Sequence, residues 1–392
     1  MTTNRIDPTR ARRIAAFAAL LAVTGLAAHA ASQRPQPTPA ALLPKAPPPR
    51  IEVVFVLDTT GSMSGLIEGA KRKIWSIANQ MASAQPTPEI RMGLVAYRDR
   101  GDDYVTSRHD LSADIDAFYA KLQGYQAGGG GDGPESVNQA LHEAVQHLSW
   151  TPGQEVYKVV FLVGDAPPHM DYQDDVPYAK SVSLARRHGI VVNTVQCGEW
   201  QETTGVWQEI ASTGAGRFVS IRQDGGMLAL ATPHDDELAR LNRELAGTAV
   251  AYGAEAERAE IEAKVSAATA APAPTAAARL SFLSKLGGKL NSGRADLVDA
   301  VKDKLVDLKS LDEDALPEPM RAMAPAEREA FVQKKLDERT VLQRQIGEVS
   351  KERDRYVADE EKRRAAAGLG DGFDQQVMGA IREQAAAKGI VY

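Results

Sequence analysis

From Ile51 to Leu57 the chain reads Ile-Glu-Val-Val-Phe-Val-Leu, and it then breaks into Asp58-Thr59-Thr60-Gly61-Ser62. An apolar run this continuous fits a strand buried on both faces, the situation of a central strand in a parallel sheet. Residues 156–163 form a second such run, and shorter strands are predicted at 91–97, 104–110, 190–195 and 216–220. Between them, Leu66, Ile67, Ala70, Ile74, Ile77, Ala78 and Met81 recur at helical spacing. Further helices are predicted over 113–123, 135–149, 176–188 and 206–213. Strands alternating with helices predict an α/β fold: a doubly wound, mostly parallel sheet flanked by helices, over residues 51–232. Ligands of such sheets sit at the carboxyl ends of the strands.

Composition divides the remainder. Residues 1–30 pair a basic stretch ending at Arg13 with an apolar run of about 15 residues, short of the roughly 20 needed to span a bilayer. Ala28-His29-Ala30 places small residues where a signal peptidase reads them, so cleavage after Ala30 and a periplasmic or secreted location are expected. An uncleaved membrane anchor is the alternative, and only then would the chain meet a membrane. Residues 31–50 hold seven prolines and read as a semi-rigid linker. Thr232-Pro233-His234-Asp235 opens a helical extension over 233–268. Residues 269–278, Ala- and Pro-rich, read as a second linker. The rest, 279–392, is expected to be largely α-helical. Its charged helix from Pro325 carries an apolar stripe at Leu342, Ile346, Val349 and Tyr356, which Arg339 and Arg353 interrupt against a sustained coiled coil. The Lys/Arg/Glu-rich stretch 327–364 reads as solvated surface or as a docking face. Phe373, Val377, Ile381 and Ala385 share one face of a last helix.

The formal charge is −6, and the first thirty residues contribute four arginines against Asp7, so the rest of the chain is more acidic still. Such a chain has no general electrostatic attraction to nucleic acid or an anionic membrane surface. One cysteine, Cys197, excludes an intramolecular disulfide and a cysteine-based zinc site. It ends an apolar strand and reads as a small buried residue.

Three predicted loops at one sheet edge carry oxygen ligands. Asp58, Thr60 and Ser62 alternate at i, i+2, i+4, so one turn aims three oxygens at a point. Asp132 follows the glycines 128–131, whose backbone freedom brings it close. Asp165 ends the strand over 156–163. All five side chains offer hard oxygen, which suits Mg2+, with Mn2+ or Ca2+ as alternatives, and suits Zn2+ poorly.

This pattern resembles the D-x-S/T-x-S signature and metal-ion-dependent adhesion site of von Willebrand factor A domains, of a bacterial exported type. The resemblance implies divalent-cation-dependent protein–protein binding, in adhesion or envelope complex assembly, with an acidic partner side chain completing the cation's coordination and no catalysis. Adhesion-type members of that family carry Thr where Asp132 stands. A third carboxylate implies firmer metal retention and a weaker pull on the partner's carboxylate. Asp132 either coordinates directly or supports a ligand.

Other signals point elsewhere. His142 and His147 are five residues apart, about 140° around a helix, and do not make the zinc pair of an i, i+4 spacing. Met63 occupies the centre of Gly61–Gly65, so no nucleophile elbow is present. The glycine run lacks a Gly-Lys-Ser/Thr ending, so no nucleotide is expected. His169, Asp171, Asp174 and Asp175 form an acidic loop that holds a second cation, shapes partner choice or is merely solvated. Two other functions remain open: a metal-stabilised scaffold acting through its C-terminal helices, and a metal-dependent hydrolase with His169 as base.

Overall fold

The computed structural model describes residues 48–221, 230–287, 296–367 and 373–392. The expected export segment and most of the first proline-rich linker lie outside them. Among the described residues no helix is long and apolar enough to cross a membrane.

Six strands, β1 (Arg50–Asp58), β2 (Glu89–Tyr97), β3 (Thr106–Ser112), β4 (Tyr157–Gly164), β5 (Ile190–Cys197) and β6 (Ala215–Ile221), form one sheet in the order β3-β2-β1-β4-β5-β6. All neighbours are parallel except β2 and β3. β1 lies in the middle, buried from Ile51 to Asp58. Sheet order reverses between β1 and β4, and the crevice beyond their carboxyl ends is where ligands of open α/β sheets bind.

Alternation along β1 sorts the core into two layers. Ile51, Val53, Phe55 and Leu57 face helices α1 (Ile67–Met81) and α2 (Ile115–Gly124). Val54 and Val56 face α3 (Val137–Gln146), α4 (Tyr178–Arg187) and α5 (Gln201–Thr213), with Trp207 fully buried among them. The helix predicted from residue 206 begins five residues earlier, because Gly205 is tolerated inside α5. The helix predicted from residue 135 begins only at Val137, since Glu135 is bridged to Pro168 instead. His142 and His147 also depart from the ideal helical angle. α3 ends at Gln146, and the turn that follows brings the two rings edge to face at 5.6 Å.

The second half is helical: α6 (Asp235–Ala246), α7 (Glu255–Ala270), α8 (Ala273–Lys285), α9 (Leu297–Lys302), α10 (Glu318–Arg321), α11 (Pro325–Ala366) and α12 (Phe373–Ala386). The stretch 269–278, expected to be a linker, is the end of α7 and the start of α8, joined at Ala271-Pro272. Alanine favours helix, and Pro274 falls in the first turn, where its missing N–H costs nothing.

These helices do not simply lie in solvent. Phe282 and Leu283 of α8 and Val377, Ile381 and Ala385 of α12 join the sheet's core layer beside α1. Ile346 of α11 packs with Leu238, Leu241, Leu245 and Leu280. The two arginines that interrupt its stripe meet carboxylates. Arg339, at 0% exposure, spans both oxygens of Asp296 at 2.8 and 3.1 Å and donates to the Thr248 carbonyl. Arg353 donates to Asp235 at 2.8 Å. Leu342, Ile346 and Val349 are thus the seam of a globular helical layer, while Tyr356 and most of the charged residues of 327–364 face solvent.

Candidate metal centre

β1 delivers Asp58 to the sheet edge fully buried, and the turn after it folds back on the carboxylate. Asp58 Oδ1 accepts from the Thr60 backbone N–H at 2.9 Å and from Thr60 Oγ1 at 2.6 Å. Thr60 Oγ1 is 3.0 Å from Ser62 Oγ, which donates to Asp165 Oδ1 at 2.9 Å. Asp58, Thr60, Ser62 and Asp165, four of the five residues expected at the centre, therefore form one hydrogen-bonded chain. Ser62 is exposed, so the chain opens to solvent on its side. Gly164 makes the approach of β1 and β4 feasible: a Cβ there would lie 2.5 Å from the Tyr97 hydroxyl and 2.7 Å from Asp58 Cβ.

Asp132 is placed elsewhere. Its side chain is 63% exposed, and its Oδ1 lies 3.3 Å from His169 Nε2. The carboxylate that the glycine loop does bring in is Glu135. Gly130 adopts φ +74°, and a Cβ on it would stand 2.8 Å from Glu135 Oε1 and 3.4 Å from Thr60 Cβ. Two backbone bonds hold Glu135 to the loop after β4: its N–H donates to the Pro167 carbonyl, and its own carbonyl accepts from His169. Asp132 and Glu135 stand three residues apart in one glycine-rich loop, and spacing alone does not tell which turns inward.

Asp99 was also missed. It lies just beyond the end of β2, a strand end that carries no expected site residue. Its Oδ1 accepts from Ser136 Oγ at 2.9 Å, and Tyr172 donates its hydroxyl to the same carboxylate. The acidic loop beyond Asp165 keeps Asp171 and Asp174 exposed to solvent, at 75% and 76%, and is also tied down. Arg100 bonds Asp174 and Asp175 and stacks over Tyr172, and His169 Nδ1 is 2.8 Å from Asp171.

The electrostatics follow from crowding acids in a desolvated crevice. Burial, then the charge of Asp165, pushes Asp58 up to about 7. Burial, then Asp58, Asp99, Asp102 and Asp165, pushes Glu135 up to about 9. Burial also raises Asp165. Asp58 Oδ2 and Glu135 Oε2 are buried without a hydrogen-bond donor. A buried acceptor without a donor calls for a proton or a cation nearby. The donor set is all hard oxygen and fits a dication of the Mg2+, Mn2+ or Ca2+ kind, held by Asp58, Thr60, Ser62 and Asp165 with Glu135 beside them.

Residues 52–231 match the sequence model of the von Willebrand factor A domain. The mouse von Willebrand factor A domain-containing protein 7 is 36% identical over 120 residues, 31% of this chain and 12% of that protein. The alpha-protein kinase vwkA of Dictyostelium discoideum is 29% identical over 122 residues, 30% of this chain and 19% of the kinase. The chain thus spans about a fifth or less of the length of these relatives. Among solved structures, the SpRpn10 VWA domain is 14% identical, with a TM-score of 0.35, over 46% of this chain and 95% of that domain.

Proposed function

Residues 52–231 being a von Willebrand factor A domain, we propose that the protein is a binding module that captures a protein partner through a divalent cation, Mg2+ by preference. The observation that carries this reading is the pair of donorless, buried carboxylate oxygens on Asp58 and Glu135 at the sheet's switch point. A bound dication supplies a positive centre that takes a partner's carboxylate as a further ligand. The chain's own part is orientation. Thr60 holds Asp58, Ser62 holds Asp165, and the exposed Ser62 side is where the partner approaches. Met170 and Trp200, 59% and 39% exposed, offer apolar anchor points on the neighbouring loops for a protein surface. Trp200 lies over the glycine loop, with its ring edge 2.7 Å from where a Gly133 Cβ would be. We read the chain as a binder rather than an enzyme, and as exported through residues 1–30 to the periplasm or beyond.

Titration calorimetry of the full chain tests the centre. Wild type takes up Mg2+ or Mn2+ and Asp58→Ala does not; absence of uptake by wild type would overturn the reading. Capture from envelope extract, compared with and without chelator, then tests the partner's dependence on the cation. N-terminal sequencing of protein from a cell fraction tests export.

A further inference from the structure

A second group of ligand atoms stands beside the first and differs from it in chemistry. Among the described residues, Asp99, Asp132 and His169 each bring one ligand atom within 4.8 Å of the others. They come from three loops: the end of β2, the glycine loop and the loop after β4. We propose that these three residues form a second metal site, selective for a borderline dication of the Zn2+ class and separate from the all-oxygen centre at Asp58.

The distances carry the argument. His169 Nε2 lies 3.3 Å from Asp132 Oδ1 and 3.4 Å from Asp99 Oδ2. A charge-assisted N–H···O bond closes to roughly 2.7–2.9 Å, so these contacts are too long for a proton to hold well. They match the edge of a tetrahedron with metal–ligand bonds of about 2.0–2.1 Å, which is about 3.3–3.4 Å. The imidazole is already oriented for the task. His169 Nδ1 lies 2.8 Å from the Asp171 carboxylate, which accepts in such a pair, so Nδ1 carries the proton. Nε2 is then free to ligate, and a carboxylate bonded to the far nitrogen is the usual support of a metal-bound histidine.

The site is also rigid before any metal arrives. His169 is only 5% exposed and stacks on Tyr172 with ring centroids 4.1 Å apart. Ser136 and Tyr172 fix Asp99. The exposed Asp132 leaves one side open to a water or to an outside ligand. Two carboxylates and a neutral imidazole balance a dication, and the nitrogen donor favours Zn2+ over Mg2+.

Metal-stripped full-length chain titrated with Co2+ tests the site. Wild type is expected to develop the visible absorption of tetrahedral Co2+, displaced by Zn2+ but not by excess Mg2+. Asp132→Asn, on an exposed side chain, and His169→Gln are expected to abolish it, and Asp58→Ala to keep it. Asp171→Asn should weaken Co2+ by about 10–100-fold. Circular dichroism confirms that each variant is folded. No absorption in wild type, or absorption unchanged in Asp132→Asn, overturns the proposal. Absorption lost in Asp58→Ala but kept in Asp132→Asn overturns it too, by assigning the metal to the oxygen centre.

Discussion

Ser62 Oγ donates to Asp165 Oδ1 at 2.9 Å across 103 residues of sequence. This bond ties the turn after β1 directly to the end of β4, so the two ligand-bearing loops hold one another in register. Binding therefore spends little on ordering. With free cation at a hundredfold excess over Kd, stabilisation of about 2.7 kcal/mol is expected, lost on chelation. Thermal melts at increasing Mg2+ check it, and a melting temperature indifferent to the cation contradicts it.

Asp58→Asn removes a buried charge together with a ligand. The metal-free variant is expected to melt above metal-free wild type at pH 8, where Asp58 is largely ionised, and to lose its response to Mg2+. A variant that melts lower, or still responds, would count against the assignment.

Acidity sets the same balance. Asp58 and Glu135 have folded-state pKa values raised to about 7 and about 9. Between their ordinary values near 4 and these raised ones, the folded chain binds more protons than the unfolded chain, so metal-free stability falls as pH rises. The loss runs from about pH 4 through pH 7 for Asp58 and on toward pH 9 for Glu135. Cation affinity moves the opposite way, because protons and metal compete for the same oxygens. Urea unfolding at pH 5 and pH 8, with and without Mg2+, reads both trends. A metal-free protein more stable at pH 8 would refute them.

In the helical half, Arg339→Ala leaves Asp296 and Asp299 charged and buried without their cation. A loss of about 3–5 kcal/mol is expected, and Arg339→Met should restore packing but not the pairing. Denaturant unfolding measures both; a loss within ±0.5 kcal/mol, the range of ordinary surface changes, would contradict the burial.

Ile381→Ala tests whether α12 belongs to the sheet's core layer, where Ile381 is fully buried. The cost is expected at about 2–5 kcal/mol. It should appear in the same unfolding transition as the sheet, followed by near-ultraviolet dichroism of Trp75 and Trp207. A separate, earlier transition would mean the helix is an appendage.

The alternation of apolar runs and amphipathic helices made the sheet legible, because burial on two faces leaves a strong pattern in β1 and β4. The convergence of Asp58, Thr60, Ser62 and Asp165 was legible too, since two strand ends fix where the loops meet. Glu135 and Asp99 were not: loop direction depends on bridges such as Glu135 to Pro168, which no local spacing encodes. Docking of the C-terminal helices was hidden for a related reason. Arg339 and Arg353 look like solvent-facing charges until their carboxylate partners, distant in sequence, are folded beside them.

β1 enters the sheet at Arg50 and reaches Asp58 eight residues later, about 26 Å at the usual rise per residue. Val391, next to the last residue, bridges Gln85 in the turn that leads into β2, at the same pole as Arg50. Both ways out of the fold thus leave from one pole, and the oxygen cluster crowns the other. A ligand bound at the cluster therefore approaches the end of the sheet opposite Arg50 and Val391.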